Sequence, residues 1–394
     1  MTTYNILILL SGLVIFSYLF DMIAKRTKIP SVLLLLILGI GLKQVVNYFG
    51  FETFDFLKIL PTLGTVGLIL IVFEGALELK YENKKNKLIK KTFFAAFFIL
   101  LFTTAAITVI LHELTQSSYY LCFINAIPFS IISSAIAIPS VSGITQKHKE
   151  FVIYESSFSD IVGIILFNFA ISNESYNVTA FANLGMELIS IIIFAAASCL
   201  LLLYLIGKIN HHVKFFLIIS ILVLVYAIGQ SFHLSALIIV LAFGLFLNNA
   251  EEIKIPFFRK HFIYPNLSKD LVQLHQLSAE SAFIIRTFFF VIFGFTIIIE
   301  QLQDLTLIQH SLLILTAIYL IRLLYLKFIA KESISPLVSI TPRGLISILL
   351  FYNLPQELRI SGVETGLLFL MILATSIIMS LGLLGAKKAE KPLP

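Results

Sequence analysis

Long, nearly uncharged apolar runs recur from one end of this chain to the other, from YNILILLSGLVIFSYLF near its start to GLLFLMILATSIIMSLGLLG near its end. In helical form a run of about twenty residues crosses the ~30 Å hydrocarbon layer of a bilayer. No water in that layer satisfies backbone N–H and C=O groups, so a spanning chain must bond internally. The residue balance agrees. Of 394 residues 59% are hydrophobic and 13% charged, against about 45–50% and about 25% in soluble domains. An all-α, multispanning membrane protein follows.

Reading apolar runs against charged or turn-rich breaks places thirteen spans near 4–24, 31–49, 59–79, 91–112, 118–144, 151–172, 182–207, 214–231, 234–249, 277–300, 306–330, 333–354 and 362–385. The first reads as a retained span, because it lacks a basic start and a small-residue cleavage site. With the N-terminus outside, twenty-two lysines and arginines fall in cytoplasmic loops, against Lys43, Lys58 and Arg359 outside. That bias orients the chain N-out, C-in. It also accounts for the net charge of +6 without nucleic acid. Cys122 and Cys199 sit singly in apolar runs, so no disulfide is expected. The His211–His212 pair reads as part of a basic loop. The chain has no room for a nucleotide-binding domain, and no cofactor is implied.

Spans 5 and 12 each carry a proline in a polar, small-residue setting, SSAIAIPSVSG around Pro139 and VSITPRGLIS around Pro342. Proline removes a backbone donor and clashes with the preceding turn, so both helices should be interrupted there. The two lie seven spans apart, an odd offset. Residues 1–172 and 214–385 therefore read as an inverted repeat, with 182–207 as connector and 386–394 as a short cytoplasmic tail. Paired interruptions in two halves point to a transport site at the membrane midplane.

Charges inside spans sharpen that expectation, since each costs about 2.5–3.5 kcal/mol on insertion scales and usually pairs or lines a pathway. Glu74, Glu155, Asp160, Glu187, Arg286, Arg322 and Arg343 are the candidates. At about 100° per residue, Ser156 and Asp160 share one face of their helix while Glu155 and Ser159 share the next. The first face offers a carboxylate and a hydroxyl, hard oxygens suited to a small cation. Glu155 is left to pair elsewhere, and Arg343, one residue past the proline of span 12, is the expected partner. Helical rise puts Asp160 roughly 14 Å, Arg343 roughly 15 Å and Glu74 roughly 8 Å from the cytoplasmic side. Arg286 is near enough mid-span to be a pathway charge.

The motifs KRTKIPSVLLLLILGIGLK, VGLILIVFEGALELK, ESSFSD, RTFFFVIFG and TPRGLISILLF, in this order along the whole chain, resemble the monovalent cation:proton antiporter superfamily, in particular its NhaP-like sodium/proton exchanger branch. The resemblance implies that Asp160 carries the ion and the proton. Ser156, Ser159 and Glu74 would help complete the ion's shell, with backbone oxygens near Ala137, while Glu155 and Arg343 form a structural ion pair. It also implies a homodimer in the cell (inner) membrane, exchanging Na+, Li+ or K+ for H+. Two positions depart from the family pattern. Ser159 stands where the family has Asn, and Ile138 where it has Asp, which removes one oxygen ligand and one negative charge.

Desolvation disfavours a bare carboxylate, so proton and cation become competing occupants of Asp160. Either neutralises it and lets the loaded core move, whereas the empty, charged state stays put. Na+(Li+)/H+ exchange is the leading expectation. K+/H+ exchange, or a channel or non-transporting ion sensor on the same fold, are the alternatives. No GxSxG, HExxH or paired intramembrane aspartate motif supports a membrane-embedded enzyme.

Overall fold

The computed structural model describes residues 3–27, 29–49, 56–79, 81, 83–141, 143–173, 178–208, 215–232 and 234–389. His211, His212 and the end of the tail lie outside them. Every regular element among the described residues is helical: α1 (Thr3–Thr27), α2 (Ser31–Tyr48), α3 (Phe56–Glu78), α4 (Asn86–Thr115), α5 (Tyr119–Ser130), α6 (Ser134–Ser140), α7 (Gln146–Ser172), α8 (Val178–Lys208), α9 (Phe215–Ser231), α10 (Ala236–Asn248), α11 (Pro256–Phe262), α12 (Leu267–Thr296), α13 (Leu305–Leu324), α14 (Leu345–Asn353) and α15 (Thr365–Ala389), with short 3₁₀ and π turns between some of them. Seven helical segments in this set are long and apolar enough to cross a membrane. The 27-residue α7 is not among them.

The chain divides into two compact units. The first comprises residues 1–61, 87–167 and 286–394. Here α2 crosses the second half of α12 almost backbone to backbone. A Cβ on Gly39 would lie 2.1 Å from the Val291 carbonyl oxygen, and one on Gly294 would lie 2.3 Å from that of Leu36. Small residues are what permit such an approach between membrane helices. α14 packs on α5 and is buried on every side from Leu345 to Phe351, as expected of a helix that is apolar all round.

Both proline-bearing segments are broken, and the first break differs in position from the sequence expectation. α5 ends at Ser130 and α6 starts at Ser134, leaving Ile131–Ser133 extended, while Pro139 sits inside α6. Pro342 does lie within its break. Residues 331–344 form no helix, and only α14 remains of the span expected over 333–354. After the π turn Tyr325–Ala330, Lys331 adopts the left-handed conformation (φ 50°), a common way to end a helix.

Glu332 fastens this unwound stretch to two other helices. It accepts from Lys91 of α4 at 2.5 Å and from Lys147 of α7 at 2.8 Å. Burial works against its charge, but the hydrogen bonds from Lys147 and Lys91 together hold the carboxyl below its ordinary range. A depressed folded-state value means the stabilisation is complete above the ordinary glutamate value and disappears as pH falls through the lower one. Glu332→Gln should therefore lower thermal stability at neutral pH, and the gap from the parent should close in acid. Melting curves over pH check this; a gap that is constant or widens in acid would contradict it.

The second unit comprises residues 62–86 and 168–285. α8, α9 and α10 pack together. α10 meets α3, with Phe73 and Phe243 rings 6.1 Å apart and Asn248 donating to the Leu77 carbonyl at 2.7 Å. Glu187 of α8 accepts from the N–H of Ser235, the residue capping α10, at 3.2 Å. That is a structural use for one of the intramembrane carboxylates.

Candidate functional site

A broken helix in lipid must find partners for each backbone group it frees, and those partners define the centre of the first unit. The donors come first. The N–H of Ile132 is accepted by Ser159 Oγ at 2.9 Å. The N–H of Ser133 is accepted by the Pro342 carbonyl of the other broken segment, also at 2.9 Å. The N–H of Ser134 is accepted by Asp160 Oδ2 at 3.2 Å. Three consecutive donors are thus met by two side chains of α7 and by the second break.

The acceptors are met by arginines. Carbonyls in the last turn of a helix lack internal partners and form the negative end of its dipole. Arg343 Nε donates to the Phe129 carbonyl at 2.7 Å and Nη2 to that of Ser130 at 3.4 Å, closing the end of α5. Its Nη1 donates to the Thr341 carbonyl at 2.7 Å and to Thr341 Oγ1, and its backbone N–H donates to Thr375 Oγ1 of α15. Pro139 has no N–H to give to the carbonyl one turn back, at Ala135. Arg286 Nη1 donates to that carbonyl at 3.2 Å.

The expected ion pair needs correcting. Glu155 pairs with Arg322, not Arg343, through two parallel bonds of 2.8 and 2.9 Å, with both side chains essentially excluded from solvent. Arg322 Nε also donates to the Leu337 carbonyl at 2.8 Å, so the pair braces the unwound segment as well. The fully buried Arg343 spends its donors on oxygens that carry no full charge. Ala137 also departs from expectation. It lies inside α6 with its N–H on the Ser133 carbonyl, so the unwound backbone is at Ile131–Ser133.

Asp160 keeps one oxygen in reserve. Its Oδ1 is buried without a hydrogen-bond partner, while Oδ2 is fixed by α6. One turn back, Ser156 donates its hydroxyl proton to the Val152 carbonyl at 2.8 Å, which leaves the lone pairs of its oxygen uncommitted. Ser133 Oγ is buried and unbonded nearby in the break. Gly344 lets the two breaks approach this closely, since a Cβ there would lie 2.5 Å from Ser133 Oγ. Glu74 lies on α3 in the second unit, buried to 9% exposure.

A cleft of about 40 Å³ reaches the same short helix. It is lined by Asp21, Pro30 and Ser31 together with Ala135, Ile136 and Pro139. Since roughly 10–15 Å³ of such space admits a water molecule, solvent can approach within a residue of Ser134. Sequence reasoning named Arg322 as an intramembrane charge but not as the partner of Glu155, and it missed Ser134, Thr341 and Thr375.

The comparisons agree with this architecture. The family model described as sodium/hydrogen exchanger, transmembrane, matches residues 11–384. No curated protein sequence matches. Among solved structures, the sodium proton antiporter MjNhaP1 from Methanocaldococcus jannaschii at pH 8 is 21% identical, with 97% of each chain covered and a TM-score of 0.72. An electron-microscopy map of the same antiporter gives 20% identity, coverage of 98% of this chain and 96% of that one, and a TM-score of 0.67.

Proposed function

Because the chain belongs to the sodium/hydrogen exchanger transmembrane family, we propose that it exchanges Na+ or Li+ for protons across a cell membrane, with Asp160 carrying each in turn. It is a multi-pass transporter, not an enzyme. The observation that carries the reading is the unpartnered Oδ1 of Asp160, beside a break whose backbone N–H groups at Ile132, Ser133 and Ser134 are all satisfied. A proton or a small cation can bind that oxygen, and Ser156 supplies a second hard oxygen. Ser159 supports the site by holding Ile132, and Glu74 is the further carboxylate we assign to it. Filling Asp160 neutralises a site carboxylate that, among the described residues, has no basic partner, which eases passage of the loaded site through a low-dielectric barrier. We place this chemistry in a dimer of thirteen-span protomers, N-out and C-in, built on an inverted repeat.

The test is cation-driven proton release from everted vesicles, with Na+, Li+ and K+ compared. Release driven by Na+ and Li+ supports the proposal, whereas release driven by K+ alone would make the chain a K+/H+ antiporter. One observation favours a second reading. Ile138 stands in α6 with no carboxylate to offer, and a weaker ligand set suits a channel. A cation gradient dissipated without proton movement would establish it.

Arg286 supplies a prediction at the same site. Arg286→Gln should leave the Ala135 carbonyl short of a donor, at a cost of about 1–3 kcal/mol, and let α6 shift relative to Asp160. The apparent KM for the cation should rise several-fold more than kcat falls, and Arg286→Lys should restore part of it. Equal loss in both variants, with KM unchanged, would show that Arg286 does not position the site.

A further inference from the structure

Between α10 and α12 the chain carries an element that is neither a span nor an ordinary loop. Eighteen residues, Asn249 to Asn266, join the two; three form a 3₁₀ turn, Ala250–Glu252, and seven form α11, PFFRKHF. So short a tether, coiled at about 1.5 Å per residue within α11, holds α11 close to the ends of α10 and α12. Its residues sort by face. Phe257, Phe258 and Phe262 occupy one side of the helix together with His261, whose ring lies 4.5 Å from that of Phe257, and Arg259 and Lys260 occupy the other, at about 100° per residue. Phe258 and Phe262 are half-buried with rings 5.4 Å apart, and α11 packs on α8. Phe257 is 67% exposed and its neighbour Ile255 61%. Arg259 and Lys260 are exposed, and among the described residues neither forms an ion pair.

We propose that α11 is a lipid-docking helix, with Ile255 and Phe257 entering the acyl region of one leaflet and Arg259 and Lys260 holding anionic phospholipid headgroups. An apolar face beside a basic one is the pattern of helices lying in the interface, and two exposed apolar side chains in water would be unfavourable. The neighbouring helix end marks the same level. Lys208, the last residue of α8, sits 4.3 Å from the Tyr204 ring centroid, and tyrosines and lysines concentrate where spans meet headgroups. Charge complementarity selects the occupant, because a basic cluster next to a span draws anionic lipid over zwitterionic lipid. On the orientation expected from the loop charges, the leaflet is the cytoplasmic one.

The chain contains no tryptophan, so Phe257→Trp introduces a single indole at the proposed contact. The variant is reconstituted in equimolar phosphatidylcholine and phosphatidylglycerol, with bromine on the acyl chains of one lipid at a time. The indole should emit to the blue and resist aqueous iodide. Brominated phosphatidylglycerol should quench it about twofold or more better than brominated phosphatidylcholine, given that each basic side chain favours anionic lipid several-fold. Arg259→Gln with Lys260→Gln should bring the two lipids level, and free phosphate added to phosphatidylcholine vesicles should change nothing. Quenching by iodide, equal quenching by both lipids before neutralisation, or protection from both quenchers, as a covering second copy or other protein would give, would overturn the proposal. Cation flux through the same vesicles reports that the variants are folded.

Discussion

Asp160→Asn should abolish proton-coupled cation exchange while leaving the protein folded. The asparagine side-chain oxygen can still accept the Ser134 N–H that now bonds Oδ2, so the start of α6 keeps its partner. What disappears is the charge, and with it the ability to exchange a proton for a cation. Exchange in vesicles should fall to the level of empty vesicles, with the melting temperature close to that of the parent. Asp160→Glu should retain part of the activity, since the charge persists but is displaced by one methylene. Undiminished exchange by Asp160→Asn would remove Asp160 from the mechanism.

The largest effect on stability should come from Arg322. Its guanidinium meets Glu155 through two bonds in a site with 0% and 1% exposure. Arg322→Met would leave a buried carboxylate without its cation, which typically costs about 3–5 kcal/mol. Removing both charges, with Glu155→Leu added, should recover most of that loss, because an apolar pair of similar volume avoids the desolvation penalty. Recovery should stay incomplete, since the Leu337 carbonyl loses its donor. Thermal unfolding in detergent checks the order: parent, then the double variant, then the single one. A single variant as stable as the parent would show that the pair does not hold the fold.

Sequence reasoning reached the solvent, the helices, the two broken segments and the acidic pair on α7, because each leaves a local mark: a long apolar run, a proline among small residues, a carboxylate where charge is costly. It failed where the outcome depends on direction. Arg343 was assigned a depth from helical rise, but residues 331–344 are turns and irregular backbone, not helix, so the helical rise of about 1.5 Å per residue does not apply there. Depth also says nothing about which way a side chain points around its helix. That is how Arg322, on the intact α13, came to hold Glu155. Pro139 was correctly read as a lost donor, but the lost donor is at the Ala135 carbonyl and is made good by Arg286. The helix ends earlier, where Ser159, Pro342 and Asp160 offer acceptors to Ile132, Ser133 and Ser134. Such partners come from residues distant in the chain, and no local pattern announces them.

The account rests on one acidic oxygen that a proton and a metal ion cannot occupy together. Adding Na+ or Li+ to purified protein in weak buffer, and following bound cation and released protons at the same time, tests this most directly. Proton release that rises in step with cation binding, and vanishes with binding in Asp160→Asn, is the predicted result. Saturable cation binding that frees no protons at any pH would contradict it.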